Sequence, residues 1–163
     1  SLAIQLDRDP EKLFGGYKSN HRQQIRRAQK NGFEVKFGGR ELLDDFYAVL
    51  SESWRDLGTP IYKKSYFESI VQAFPNTMVL TVAYLGEVPA AAAFQGRFGS
   101  TFEGMWMGAR SEFRQKLVNY LLYWELIKYA CEAGLERFHL GRSTADSGGE
   151  TFKLKWNARV ERL

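Results

Sequence analysis

Apolar residues recur at helical spacing in three stretches of this chain and at strand spacing in several others. Leu42, Leu43, Phe46, Tyr47, Leu50 and Trp54 fall on one face of a helix that Gly58-Thr59-Pro60 ends. Tyr66, Phe67, Ile70, Val71 and Phe74 repeat the pattern up to Pro75. Leu117, Val118, Leu121, Leu122, Leu126, Ile127 and Ala130 mark a longer helix from Gln115 to Ala133, closed by Gly134. Phe33-Glu34-Val35-Lys36-Phe37 alternates with period two and runs into Gly38-Gly39, the mark of a half-buried strand and a turn. Met78 to Leu85, Pro89 to Phe98 and Thr101 to Met107, separated by Gly86-Glu87 and Gly99-Ser100, predict a three-stranded antiparallel meander. A strand from Arg137 to Gly141 follows the long helix, and a short closing strand is expected from Arg159 to Leu163. Ahead of all these, Ser19 or Asn20 can cap a helix that ends at Gln29 or Lys30, where Asn31-Gly32 supplies a left-handed stop. Residues 1–17 are expected to be a lead-in to one domain over 18–163.

Composition narrows the class without naming it. A chain of 163 residues with 44% hydrophobic residues, 15% aromatics and four prolines can bury a core and is not disordered. No apolar run reaches the roughly 20 residues of a membrane span, and Ser1 to Asp7 carries no signal-peptide pattern. The first residue is not Met, so a piece of a longer chain is expected. The lone Cys131 cannot form an internal disulfide, which fits a reducing, cytoplasmic setting. Two histidines and one cysteine far apart offer no zinc spacing, so no metal is expected.

The net charge of +4 is unevenly placed. From Lys18 to Arg40 seven cations oppose Glu34 alone, +6, which leaves −2 for the remainder. At about 100° per residue, Arg22, Arg26 and Lys30 form one stripe of the first helix. This stripe is either a solvated face or a contact for phosphate and other polyanions.

The element order is strand, helix, helix, three strands, helix, strand, strand, and it resembles that of the GNAT acyltransferase fold. The expected class is therefore α/β (α+β), a mixed and mostly antiparallel sheet with helices on both faces. In such a fold the acyl donor lies where two neighbouring strands splay apart, here the strand ending near Gly108 and the strand Arg137 to Gly141. The long helix starts at that gap, where its free N–H groups favour an anion. Members that use acetyl-CoA carry an Arg/Gln-x-x-Gly-x-Gly/Ala loop there, whereas this chain has Arg114-Gln115-Lys116-Leu117-Val118-Asn119. Side chains in place of glycines hinder close approach of the backbone to a pyrophosphate.

Four segments carry a more specific likeness: Asn20-His21-Arg22-Gln23-Gln24-Ile25-Arg26-Arg27-Ala28, Asn119-Tyr120-Leu121-Leu122-Tyr123-Trp124-Glu125, Phe138 to Ser143, and Phe152-Lys153-x-x-Trp156. Together they resemble FemA/FemB/FemX-type proteins, most closely the FemAB-related proteins that accompany PEP-CTERM and exosortase systems. The likeness runs from about Lys18 to Leu163, and the chain has Trp156-Asn157 where the family commonly has Trp-Gly. Family members usually have two GNAT-like halves, so the resemblance implies that this chain is the C-terminal one and that an N-terminal half is its partner. It also implies transfer of an aminoacyl group, usually from aminoacyl-tRNA, to an amine of a peptidoglycan-type precursor. The donor is then aminoacyl-tRNA or an acyl-CoA, with no firmly bound cofactor, and tRNA becomes an expected partner.

That chemistry needs a held amine, a held carbonyl and stabilisation of an oxyanion, but no protein nucleophile. Accordingly, no convincing Ser-His-Asp or Cys-His arrangement is present. Lys153 is the candidate for stabilising developing charge, the alternative being a surface lysine on a short turn, and Arg142 at the strand end suits phosphate or carboxylate, the alternative being a structural ion pair with Asp146 or Glu150. Ser143 can donate to the acyl carbonyl, the alternative being a helix or turn cap, and Asn119 can orient an amide, the alternative being a plain polar residue at the helix end. Phe152, Trp156, Tyr123 and Trp106 are candidate stacking surfaces for a base or sugar, core packing being the alternative. Two other functions stay open at this point, a CoA-dependent N-acyltransferase and a non-catalytic basic module that binds RNA or an anionic polymer.

Overall fold

The computed structural model describes residues 1–141 and 148–162. In chain order the elements are β1 (Leu2–Gln5), α1 (Pro10–Gly16), α2 (Ser19–Gln29), β2 (Phe33–Gly38), α3 (Leu43–Asp56), α4 (Lys64–Ala73), β3 (Met78–Leu85), β4 (Val88–Phe98) and β5 (Thr101–Ala109). They continue with α5 (Val118–Glu132), β6 (Arg137–His139), α6 (Gly148–Leu154) and β7 (Arg159–Val160). Seven strands form one sheet in the order β2-β3-β4-β5-β6-β1-β7. Every neighbouring pair is antiparallel except β5 and β6. This is the expected GNAT-like arrangement, a mixed sheet with helices on both faces.

Strand periodicity sends alternate residues of the central strands into two separate cores. On one face Ala83, Ala91 and Ala93 meet Ile25 of α2 and Val118, Leu122, Leu126 and Ile127 of α5. On the other, Leu80, Val82, Ala92 and Phe94 meet Phe46 and Leu50 of α3 and Phe67 and Val71 of α4. Nine residues of α5 are buried, on more than one side of the helix. A helix apolar around most of its circumference must be covered on both sides. The sheet covers one side, and the second cover includes Phe14 and Tyr17, whose rings lie 5.3 and 6.2 Å from Trp124. Among the described residues no helix is long and apolar enough to cross a membrane.

Several expectations need correction. Residues 1–17 are not a mere lead-in: β1 lies inside the sheet between β6 and β7, with Ala3 opposite His139 and Ile4 opposite Phe138. Leu2, Ala3 and Ile4 are all buried. Three apolar residues are too few to show a period, and only pairing with residues more than 130 positions away makes them a strand. The long helix does not begin at Gln115. Ser111–Lys116 winds as a 3₁₀ helix, and Leu117 takes a left-handed φ of 61° before α5 starts. The alternative for Lys153, a surface lysine on a short turn, does not hold: it is buried and lies on α6. Asn157 has φ 58°, the conformation that Gly would supply, and its side-chain amide donates to the Gly16 carbonyl at 3.2 Å. Asn tolerates the left-handed region better than other residues with a Cβ, so Trp156-Asn157 makes the turn that Trp-Gly would.

Two glycines allow β5 and β6 to touch and then part. A Cβ on Gly104 would lie 3.0 Å from the His139 carbonyl oxygen, and a Cβ on Gly141, at φ 76°, would lie 2.9 Å from the Gly104 carbonyl oxygen. Gly141→Ala therefore combines a left-handed backbone with a clash against rigid backbone. It should cost about 1 to 3 kcal/mol, read as a lower midpoint in urea unfolding, while Gly99→Ala, at a turn with nothing near its would-be Cβ, should cost less.

Candidate functional site

The parallel pairing of β5 with β6 covers only Thr101 with Arg137, Phe102 with Phe138 and Glu103 with His139. Beyond it β5 continues to Ala109 while β6 ends, and a cleft of about 920 Å³ opens between them. Gly104, Leu140 and Gly141 line its narrow end. Trp54, Leu57, Met105 and Trp106 form an apolar side, and Asn119 and Tyr123 bring in the first turns of α5. Phe152 and Lys153 close it from α6.

Lys153 is 7% exposed, and its Nζ lies 3.5 Å from the Gly141 carbonyl oxygen. Burial pushes the ammonium pKa below the usual lysine value, with Glu150 opposing that shift. A cation withdrawn from water interacts more strongly with a charge that develops beside it. Two more cations line the cleft, Arg110 and Arg114. Arg110 is committed to structure, with Nε 2.6 Å from Glu52 Oε2 and Nη1 donating to the Pro89 carbonyl at 3.0 Å. Arg114 is exposed at the rim, in the 3₁₀ turn that leads into α5. The Asn31 amide donates to the Lys116 carbonyl at 2.7 Å and so ties the end of this turn to the loop after α2.

The structure thus brings Lys153, Asn119, Tyr123, Phe152 and Trp106 to one cleft. Trp106 also packs edge-on against Phe67 and Phe94, with centroids at 5.0 and 5.2 Å. Tyr123 is nearly buried, and desolvation holds its phenol well above the ordinary tyrosine range. Trp156 is a correction: fully buried and absent from the cleft wall, it stacks on Tyr123 at 5.6 Å and 15° and serves as a support, not as a contact surface. Arg142 and Ser143 lie outside the described residues. The residue that pairs with His139 is Glu103, 3.0 Å from its Nδ1, at the closed end of the strand pair.

The stripe on α2 divides by partner. Arg22 Nη1 donates to the carbonyls of Gly15, at 3.4 Å, and Tyr17, and the Arg26 guanidinium sits 5.2 Å above the Phe14 ring. Both hold α1 in place, while Lys30 is exposed. Two contributors were not singled out from sequence, Arg114 and His21. Arg114 stood in the segment that replaces the glycine loop, and that displacement was its one signal. His21 stood in a segment that carries the family likeness, but nothing there signals burial: a histidine in a polar helix start reads as exposed, yet it is 4% exposed. Trp156, Tyr17 and Tyr120 surround it at 4.3, 5.1 and 5.5 Å. Burial first, and Lys155 second, lower its pKa from 6.5 to about 4.

Similarity to known proteins agrees with this geometry. The family model described as "Acetyltransferase (GNAT) domain" matches residues 16–154. The crystal structure of FemX superposes with a TM-score of 0.86 at 18% identity, covering 97% of this chain and 58% of that one. The C-terminal domain (DUF2156) of a putative lysylphosphatidylglycerol synthetase from Agrobacterium fabrum gives 0.72 at 15%, covering 97% and 56%. PaiA N-acetyltransferase from Thermoplasma acidophilum, in complex with coenzyme A, gives 0.58 at 18%, covering 76% and 87%. At such identities the likeness shows the fold alone, and the chain spans little more than half the length of the first two. No curated protein matches the sequence.

The lowered His21 pKa has a testable sign. Between pH 6.5 and about 4 the unfolded chain takes up a proton at this residue that the folded chain refuses. Its contribution is fully present above pH 6.5 and is lost as pH falls towards 4, by at most about 1.4 kcal/mol per pH unit. Urea unfolding of the wild type and His21→Phe across this range should show the steeper acid loss in the wild type. Equal slopes would mean that the folded imidazole protonates normally.

Proposed function

The chain belongs to the acetyltransferase (GNAT) domain family, and we propose that it is a FemAB-type acyltransferase. In this reading it transfers an aminoacyl or acyl group to an amine of a cell-envelope or peptidoglycan-type precursor. The observation that carries the reading is Lys153, a cation buried at the gap between the splayed strands and supplied by the Phe-Lys-x-x-Trp segment. The resemblance of that segment, and the fold likeness to FemX over 97% of the chain, support the finer assignment.

The reaction asks for positioning and electrostatics. The amine nitrogen attacks the acyl carbonyl, the new C–N bond forms, and the carbonyl oxygen takes up negative charge. The bond to the donor's leaving oxygen or sulfur then breaks, and the amine proton ends on that atom or on solvent. Lys153 stands where it can stabilise the oxyanion or a donor phosphate, and Asn119 and the first turn of α5 add polar groups beside it. Trp106, Trp54 and Leu57 offer an apolar wall for the acyl group or the acceptor. Aminoacyl-tRNA as donor fits the site better than CoA, because Arg114 to Leu117 carry side chains through the turn where a glycine loop would admit a pyrophosphate. An N-terminal partner half would complete the acceptor side.

One observation favours a second reading, an ordinary CoA-dependent N-acyltransferase: the family description itself, together with the fold shared with PaiA, which is in complex with coenzyme A. Calorimetry separates the two, since saturable acetyl-CoA binding supports the second reading and its absence the first. In acyl transfer with the donor that binds, Lys153→Ala should lower kcat/KM by about 10² to 10³ with little change in the unfolding midpoint. Full activity in the variant would remove Lys153 from the reaction.

A further inference from the structure

Helix α6 faces two spaces. Phe152 and Lys153 line the acyl cleft, whereas Thr151 and Leu154, with Lys155 just past the helix end, line a second cavity of about 460 Å³ bounded by α2 and Tyr120. Its wall carries three cations, Lys18, Arg27 and Lys155, and no carboxylate lines it among the described residues. These cations differ from the two arginines of the same helix that hold α1. Lys155 Nζ lies 3.2 Å from Tyr120 Oη, and Arg27 Nη1 is 3.5 Å from Gln24 Oε1. Both contacts are to neutral groups and leave the positive charge uncompensated.

The cavity also receives the start of α2. The first bond of that helix runs from Arg22 N to the Lys18 carbonyl at 3.0 Å, and no side chain caps its N-terminus. The amides of Ser19, Asn20 and His21 precede that bond and give the end a partial positive charge. An independent observation points the same way. His21 forms part of the cavity wall, is 4% exposed, and neither ring nitrogen has a hydrogen-bond partner. An unpaired buried polar group is unfavourable, and because both ring nitrogens are buried, an acceptor has to enter past the cavity wall to gain the imidazole N–H.

We propose that this cavity is a second anion site that takes a phosphoryl group, held by Lys18, Arg27, Lys155 and the α2 N-terminus, with the His21 imidazole as a hydrogen-bond donor. Three cations together with amide donors match a group of up to two charges and three acceptor oxygens better than a single carboxylate. Lys153 on α6 and Lys155 just beyond its end face different spaces, which makes the site separable from the cleft by mutation. The phosphoryl group belongs either to a small phosphate ester or to a polynucleotide backbone, and the same experiment distinguishes them.

The chain has two histidines, so imidazole resonances of ¹⁵N-histidine-labelled protein report on the site, with His139 at the β5 and β6 join as internal control. Titration with inorganic phosphate should shift the His21 signals saturably and leave those of His139 in place. Arg27→Ala/Lys155→Ala, at exposed positions, should weaken the apparent affinity at least tenfold without lowering the unfolding midpoint, and Lys153→Ala should leave the His21 titration unchanged. In parallel arms, tighter binding of adenosine monophosphate assigns the site to a small ester, and tighter binding of a short single-stranded RNA, lost in the double variant, assigns it to a polynucleotide. An unshifted His21 at saturating phosphate, a double variant that binds like the wild type, or loss of the His21 response in Lys153→Ala would overturn the proposal.

Discussion

The separation of β5 from β6 is the constraint on which the rest of this molecule depends. Two parallel strands buried between helices ordinarily stay hydrogen-bonded, since an unpaired buried backbone group is costly. Here the pairing stops at Glu103 and His139, and the strands diverge past Gly104 and Gly141. Backbone so exposed must face water or a ligand. The cleft is the consequence, and α5 points its N-terminus at it because that helix starts directly behind the strand that leaves.

Holding a lysine at such a place demands a rigid support, and the aromatic residues supply it. Trp156 is fully buried and touches rings from α2, α5 and α6: His21 at 4.3 Å, Tyr123 at 5.6 Å and Phe152 at 6.0 Å. Burying an indole of this size contributes on the order of 2 to 3 kcal/mol, and edge-to-face contacts add to that. The short helix that carries Lys153 is thereby held on one side by its own Phe152 and on the other by Trp156. The same cluster buries His21 without a hydrogen-bond partner, which links the acyl cleft to the second, cationic cavity across a few ångströms of packed rings.

Electrostatics divides the basic segment by task. Arg22 and Arg26 satisfy α1, one through its terminal carbonyls and the other through a ring face. Lys18 and Arg27, on another side of the same helix, meet Lys155 across a cavity. A helical stripe drawn at about 100° per residue cannot separate these roles, because it knows the face of a side chain but not what lies opposite.

By itself the sequence determined the local elements and their order: periodicity, caps and glycine stops are set by neighbours a few residues away, so α2 to α5 and the meander β3 to β5 were legible within a few residues. The Phe-Lys-x-x-Trp and Asn119 to Tyr123 segments also pointed to residues that line the cleft. Tertiary structure alone decided the matters that rest on distant partners. β1 became a strand by pairing with β6, Trp156 moved from a presumed contact surface to the core, and His21 lost its water to three aromatic rings. Burial and pairing are properties of what surrounds a residue, and one chain read in order contains its neighbours in sequence but not those in space.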